Sequence, residues 1–134
     1  MAELFDAIQV GATGERSLVV EEGHTAHHWG SGVLYVLATP EMIALMEGAA
    51  VDVVDPLLPE GYRSVGTVVN ISHLAPTVMG RTVTARAELI EIDGRRLTFR
   101  VVARDEVGVI GEGEHQRFII HVERFTARAE SRGE

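Results

Sequence analysis

One long apolar helix, followed by nothing but strands, constrains this chain more than any other feature. The helix is predicted from about Pro40 to Asp55. Thr39-Pro40 starts it well: threonine accepts from a free backbone N–H at the N-cap, and proline at the first position has no N–H to satisfy. Pro56 ends it, because the residue before a proline is pushed out of helical geometry. With Glu41 at zero and about 100° per residue, Gly48, Asp52 and Asp55 fall beside it in a polar stripe. Met42, Ile43, Met46, Ala50, Val53 and Val54 fill the opposite side. One helix with one apolar side needs a sheet to cover it.

That apolar side holds a discordant residue. Glu47, in Leu45-Met46-Glu47-Gly48, falls near roughly 240°, in or beside the buried face and away from the other acids. A carboxylate in apolar surroundings is costly unless paired, so one kept there is a candidate for chemistry. The plainer alternative is an acid at the edge of the face, reaching water or an arginine.

Arg16 to Glu22 reads as a strand before the helix. His24 to Gly32, with three histidines, a tryptophan and two glycines, reads as a loop or lid. After the helix, Arg63 to Leu74 is apolar and β-branched. Thr82 to Ile92 alternates, with Val83, Ala85, Ala87 and Leu89 facing one way. The phase slips at Ile90 and Ile92, which predicts a bulge, and Asp93-Gly94 predicts a tight hairpin. Arg95 to Asp105 places Leu97, Phe99, Val101 and Ala103 on one side, and a long strand follows from Val109 to Phe125. Thr126 to Glu134 is polar and expected to fray. The order is α+β, an antiparallel sheet of about five strands wrapped around one long helix. That is the hot-dog arrangement. The exposed edges of such a sheet imply a dimer that extends or covers them.

Residues 1–134 suit one domain. Hydrophobic residues at 46% and charged residues at 24% are those of an ordinary globular protein, with no apolar run long enough to span a membrane. The acidic start, Glu3 to Asp6, lacks the basic region of a signal peptide, so a cytoplasmic protein is expected. Without cysteine there are no disulfides, cysteine nucleophiles or thiolate metal sites. All 12 basic residues are arginine, which excludes Schiff-base chemistry on lysine. A net charge of −8 with no basic stripe argues against nucleic acid.

Few residues remain for chemistry. His73 shares a strand face with Val69 and Ile71, near the rim that Pro76 ends. It is either a satisfied core histidine or an acid/base group. Thr39 is either an N-cap alone or a hydroxyl facing a pocket at the helix start, where free N–H groups favour negative charge. Gly66 is a bulge residue or a point of close approach to a ligand. Arg117 is a surface or cross-strand charge, or a holder of a carboxylate or phosphate. His24, His27 and His28 match no zinc spacing, so no metal is assigned. No G-x-S-x-G elbow, P-loop or dinucleotide fingerprint occurs.

Together these residues resemble the hot-dog thioesterase family that includes the fluoroacetyl-CoA thioesterase. The likeness runs from about Val10 to Phe125. It is carried by Ala38-Thr39-Pro40, Leu45-Met46-Glu47, Gly66-Thr67, His73 with Pro76-Thr77, Asp93-Gly94-Arg95-Arg96-Leu97, and Gly111 to Arg117. The resemblance implies a catalytic group of Thr39, Glu47 and His73, and substrate contacts at Gly66, Arg117 and Val33. It implies an acyl-CoA substrate, no cofactor, no membrane partner, and a homodimer or dimer of dimers with coenzyme A running over its surface towards arginines. The segment Gly30 to Leu37 is short and has no phenylalanine where the fluoroacetate enzyme carries an aromatic lid. That departure implies a general short acyl-CoA thioesterase. An enoyl-thioester hydratase and a non-catalytic acyl-CoA-binding module are the rival expectations.

Overall fold

The structure, a computed structural model, describes residues 2–133. Five strands form one antiparallel sheet in the order β1-β3-β4-β5-β2. They are β1 Thr13–Val19, β2 Tyr62–His73, β3 Thr82–Asp93, β4 Arg96–Arg104 and β5 Val109–His121. A short helix, α1, spans Ala26–Trp29, and the long helix, α2, spans Thr39–Val54. The sheet curls around α2, which packs against β1 and β3 and reaches β4 and β2. No helix among the described residues is long and apolar enough to cross a membrane.

The core follows the strand alternation. Val83, Ala85, Ala87 and Leu89 on β3, and Leu97, Phe99, Val101 and Ala103 on β4, are fully buried against α2. Full burial of a valine, leucine or phenylalanine contributes about 1.5–3 kcal/mol each, so these two strands hold much of the hydrophobic stabilisation. The predicted phase slip is a register shift between Leu89 and Glu91. The hairpin turn falls on Gly94 and Arg95, one residue later than expected, with Asp93 paired to Arg96. Gly94 has φ +62°, a region that glycine enters without the cost a Cβ would add.

The helix departs from its prediction in how much of it is covered. Met42, Met46, Ala50, Val53 and Val54 are buried as the periodicity requires, but so are Leu45, Gly48 and Ala49 on the other flank. The edge strand β1 covers that flank, and its Arg16 lies over Gly48 to bond Asp52 at 2.7 and 2.9 Å. β1 itself sits earlier than predicted because β3, with which it pairs, begins at Thr82 opposite Val19.

The tail is a correction. The final strand stops at His121 rather than Phe125, since its partner β2 begins at Tyr62 opposite that residue. Val122–Ser131 then forms a helix, α3, where fraying was expected. The His121 ring accepts from the Arg124 N–H at 3.5 Å, and Glu123 and Arg128 stand at the ends that suit the helix dipole. Met1 and Glu134 lie outside the described residues.

Candidate active site

Two separate groups of polar side chains lie along α2. The first joins α2 to the end of β2. Ala38, not Thr39, is the N-cap of α2, and it makes no side-chain cap bond. The Thr39 hydroxyl is therefore not spent on capping. It makes a 2.8 Å hydrogen bond with Nδ1 of His73, the last residue of β2. Burial pushes the His73 imidazole below its usual range, with the backbone of Ala75 acting the other way, so it is neutral near pH 7. Its Nε2 is buried without a hydrogen-bond partner among the described residues. Thr39 and His73 line a cavity of about 420 Å³ together with Ala26, Ser31, Val36 and Pro76.

The second group lies under the middle of α2. Glu47 is half-buried, with its side chain 37% exposed. Its Oε2 stands 3.7 Å from His115 Nε2 and 3.7 Å from Arg117 Nη1. Gly66 makes room for it, since a Cβ there would lie 2.7 Å from that oxygen. Arg117 faces Gly66 across the β2–β5 ladder and is buried, 6% exposed. Its Nε donates to Ser64 Oγ at 2.7 Å and its Nη2 to the Ser64 carbonyl at 2.9 Å. Ser64 Oγ in turn donates to Asp55 at 2.6 Å. Burial lowers the pKa of Arg117, against the pull of Asp55 and Glu47, and a guanidinium keeps its charge regardless.

The chain thus brings Thr39 to His73, and Glu47 to Gly66 and Arg117, but keeps the two sets apart. Thr39 and Glu47 are eight residues apart on one helix, about 12 Å of rise. Gly66 and His73 are seven apart on one strand, about 23 Å. Val33 is 80% exposed and lies outside the Thr39–His73 cavity, which Val36 and Leu37 line instead. Of the three clustered histidines, His24 accepts from the Glu21 N–H at 2.9 Å and His27 stacks on Tyr35, so both serve the loop.

Sequence reasoning missed Ser64 and Asp55 and saw His115 only as part of a motif. The signal for His115 and Arg117 was their two-residue spacing in phase with Ile119, which puts all three on the inner face. Asp55 falls in the polar stripe of the helix by periodicity; only the fold of β2 against the end of α2 places Ser64 beside it.

A five-stranded antiparallel sheet curled around one long helix defines the hot-dog fold. Residues 20–123 match the model of the fluoroacetyl-CoA-specific thioesterases, and the chain belongs to that family. It is 40% identical to the fluoroacetyl-CoA thioesterase of Streptantibioticus cattleyicolor, over 92% of this chain and 93% of that one. A solved fluoroacetyl-CoA thioesterase structure superposes with a TM-score of 0.86 at 38% identity, covering 95% of this chain and 98% of that one. A hot-dog-like protein from Thermanaerovibrio acidaminovorans shares the fold, with a TM-score of 0.89 at 24% identity over 98% of each chain.

Proposed function

We propose that this acyl-CoA thioesterase hydrolyses a small acyl-CoA thioester with Thr39, His73 and Glu47, at a site completed between two copies of the chain. The observation that carries this reading is the Thr39–His73 bond beside a cavity, with His73 Nε2 left for a ligand. A neutral imidazole so placed can take a proton from water and return it to the departing thiolate. Glu47 acts either as the nucleophile, giving a transient anhydride that water opens, or as the base for water. In both routes the C–S bond breaks, water supplies the oxygen and protons, and free acid and thiol result. Free N–H groups at the start of α2, or the backbone near Gly66, receive the carbonyl oxygen as it gains charge.

Support for a shared site comes from the edge strand. β2 borders the sheet, and Val68 and Val69 on it are 44% and 46% exposed. A free edge with exposed apolar residues favours pairing with another strand. Antiparallel pairing of two β2 strands about Val69 sets His73 of one protomer opposite the partner subunit's Val65, next to the partner subunit's Gly66 and hence near the partner subunit's Glu47. The cavity walls, Val36 and Leu37, are aliphatic and suit a short acyl chain without an aromatic lid.

Thiol release from acetyl-CoA and other short acyl-CoA thioesters tests the activity, and mixing variants tests the shared site. Glu47→Gln and His73→Ala protein should each be inactive alone. Mixed dimers should regain about a quarter of wild-type turnover, since half are hybrids with one intact site of two. No recovery on mixing, with hybrids shown to form, would place all three residues in one protomer.

A further inference from the structure

Arg117 meets Glu47 in an unusual way. An arginine beside a carboxylate ordinarily closes on it as a two-pronged fork with bonds below about 3 Å. Here the nearest approach is 3.7 Å, too long for a hydrogen bond. The guanidinium is held elsewhere. Ser64 takes Nε–H and one Nη2–H, and neither of these hydrogens lies on the nitrogen nearest Glu47. The nitrogen nearest Glu47 is Nη1, and it is bonded to His115 Nε2 at 3.1 Å.

The hydrogen positions on His115 follow from its partners. Nδ1 is 2.8 Å from the carbonyl oxygen of Val68, which can only accept, so Nδ1 carries the proton. Nη1 of Arg117 can only donate, so Nε2 carries a lone pair. The ring is fully buried beside Phe99, with centroids 6.4 Å apart. Two charged groups face it, Arg117 from β5 and Glu47 from α2. A proton on Nε2 would break the bond to Arg117 and set two cations side by side.

We propose that His115 is a positioning residue for the reaction assigned to Glu47: its bare Nε2 holds Nη1 of Arg117 back from the carboxylate, so that Glu47 keeps its compensating charge while its oxygens stay open to substrate. Asp55 and Ser64 anchor the far side of the same guanidinium. The inference rests on the reading of Glu47 as the reacting carboxylate. It adds a residue that never touches substrate and acts through Arg117.

Three substitutions separate acceptor from donor. His115→Gln keeps an acceptor at the depth of Nε2. His115→Asn keeps a donor for Val68 but cannot reach Arg117. His115→Phe keeps neither. The expected result is a kcat lowered roughly 100-fold in the Asn and Phe variants, with KM little changed, the size of loss a misplaced reacting group gives. His115→Gln should recover most of that loss. Gln as slow as Phe, wild-type kcat in the Phe variant, or a change confined to KM would each overturn the proposal. Ring nitrogen NMR on the wild-type protein gives a reading that needs no variant to fold. A protonated Nδ1 and bare Nε2 at neutral pH support the proposal, and a protonated Nε2 overturns it. Glu47→Gln tells the two layers apart. Full activity there would sink the reading of Glu47 itself. Inactive Glu47→Gln beside fully active His115→Phe would remove only the positioning role.

Discussion

The two polar groups along α2 are built on opposite plans. At the rim, Thr39 and His73 share one hydrogen bond, stand near solvent and leave a buried nitrogen unmatched. Under the helix, Asp55, Ser64, Arg117 and His115 are bonded to one another in series, and the chain ends at Glu47. An unmatched buried atom costs stability and is useful only to a ligand, whereas a satisfied network fixes a geometry and contributes rigidity. On the proposed reading, the difference separates the part of the site that exchanges protons from the part that supplies Glu47 with a countercharge.

The largest test of this contrast is Arg117→Ala. It strips Ser64 and His115 of their partner and leaves Glu47 without a countercharge, so urea unfolding should show a loss of about 3 kcal/mol or more. A loss under about 1 kcal/mol would mean the network is ornamental. Gly66→Ala comes next. Its new Cβ would press on Glu47 Oε2, with His115 3.2 Å and Arg117 3.4 Å away. The carboxylate can swing aside, so stability should fall by only about 1 kcal/mol while thiol release falls much further.

A pH series gives a smaller effect of defined sign. Burial holds both His73 and His115 below their unfolded-state pKa. A histidine with a lowered folded pKa binds its proton better when unfolded. Stability is therefore full above about pH 6.5 and declines as pH falls below it. Chemical unfolding on either side of that value checks this, and His115→Gln should flatten the curve. The smallest stability change belongs to the rim. His73→Ala removes an unmatched buried nitrogen and should move stability by less than about 1 kcal/mol, yet lower thiol release about 100-fold or more. Loss of both in proportion would make His73 a structural residue.

Much of the fold could be seen in the chain because periodicity is a local property. The inward sets on β3 and β4 follow from alternation alone, and so does the slip at Leu89. Pro40 and Pro56 bracket the helix through their own covalent constraints. Glu47 stood out because a carboxylate is at odds with an apolar helix face, whereas Thr39, His73, Gly66 and Arg117 each also had an ordinary structural reading and were grouped with Glu47 by the family resemblance. The extents of β1 and β5 were not visible, because a strand ends where its partner ends, and Thr82 and Tyr62 are distant in sequence from what they pair with. Helix α3 was hidden in a polar tail with no residue to bury.

The sequence by itself determined the long helix, the order of the five strands and which of their faces are apolar. These depend on residue types at spacings set by helix and strand geometry. The tertiary structure decided what each polar group does. It took the Thr39 hydroxyl from capping to His73, and turned Arg117 inward to Ser64 and His115. It also separated Glu47 from the pair with which it was grouped. Hydrogen bonds are short and directional, so their partners are fixed only when distant segments meet in space.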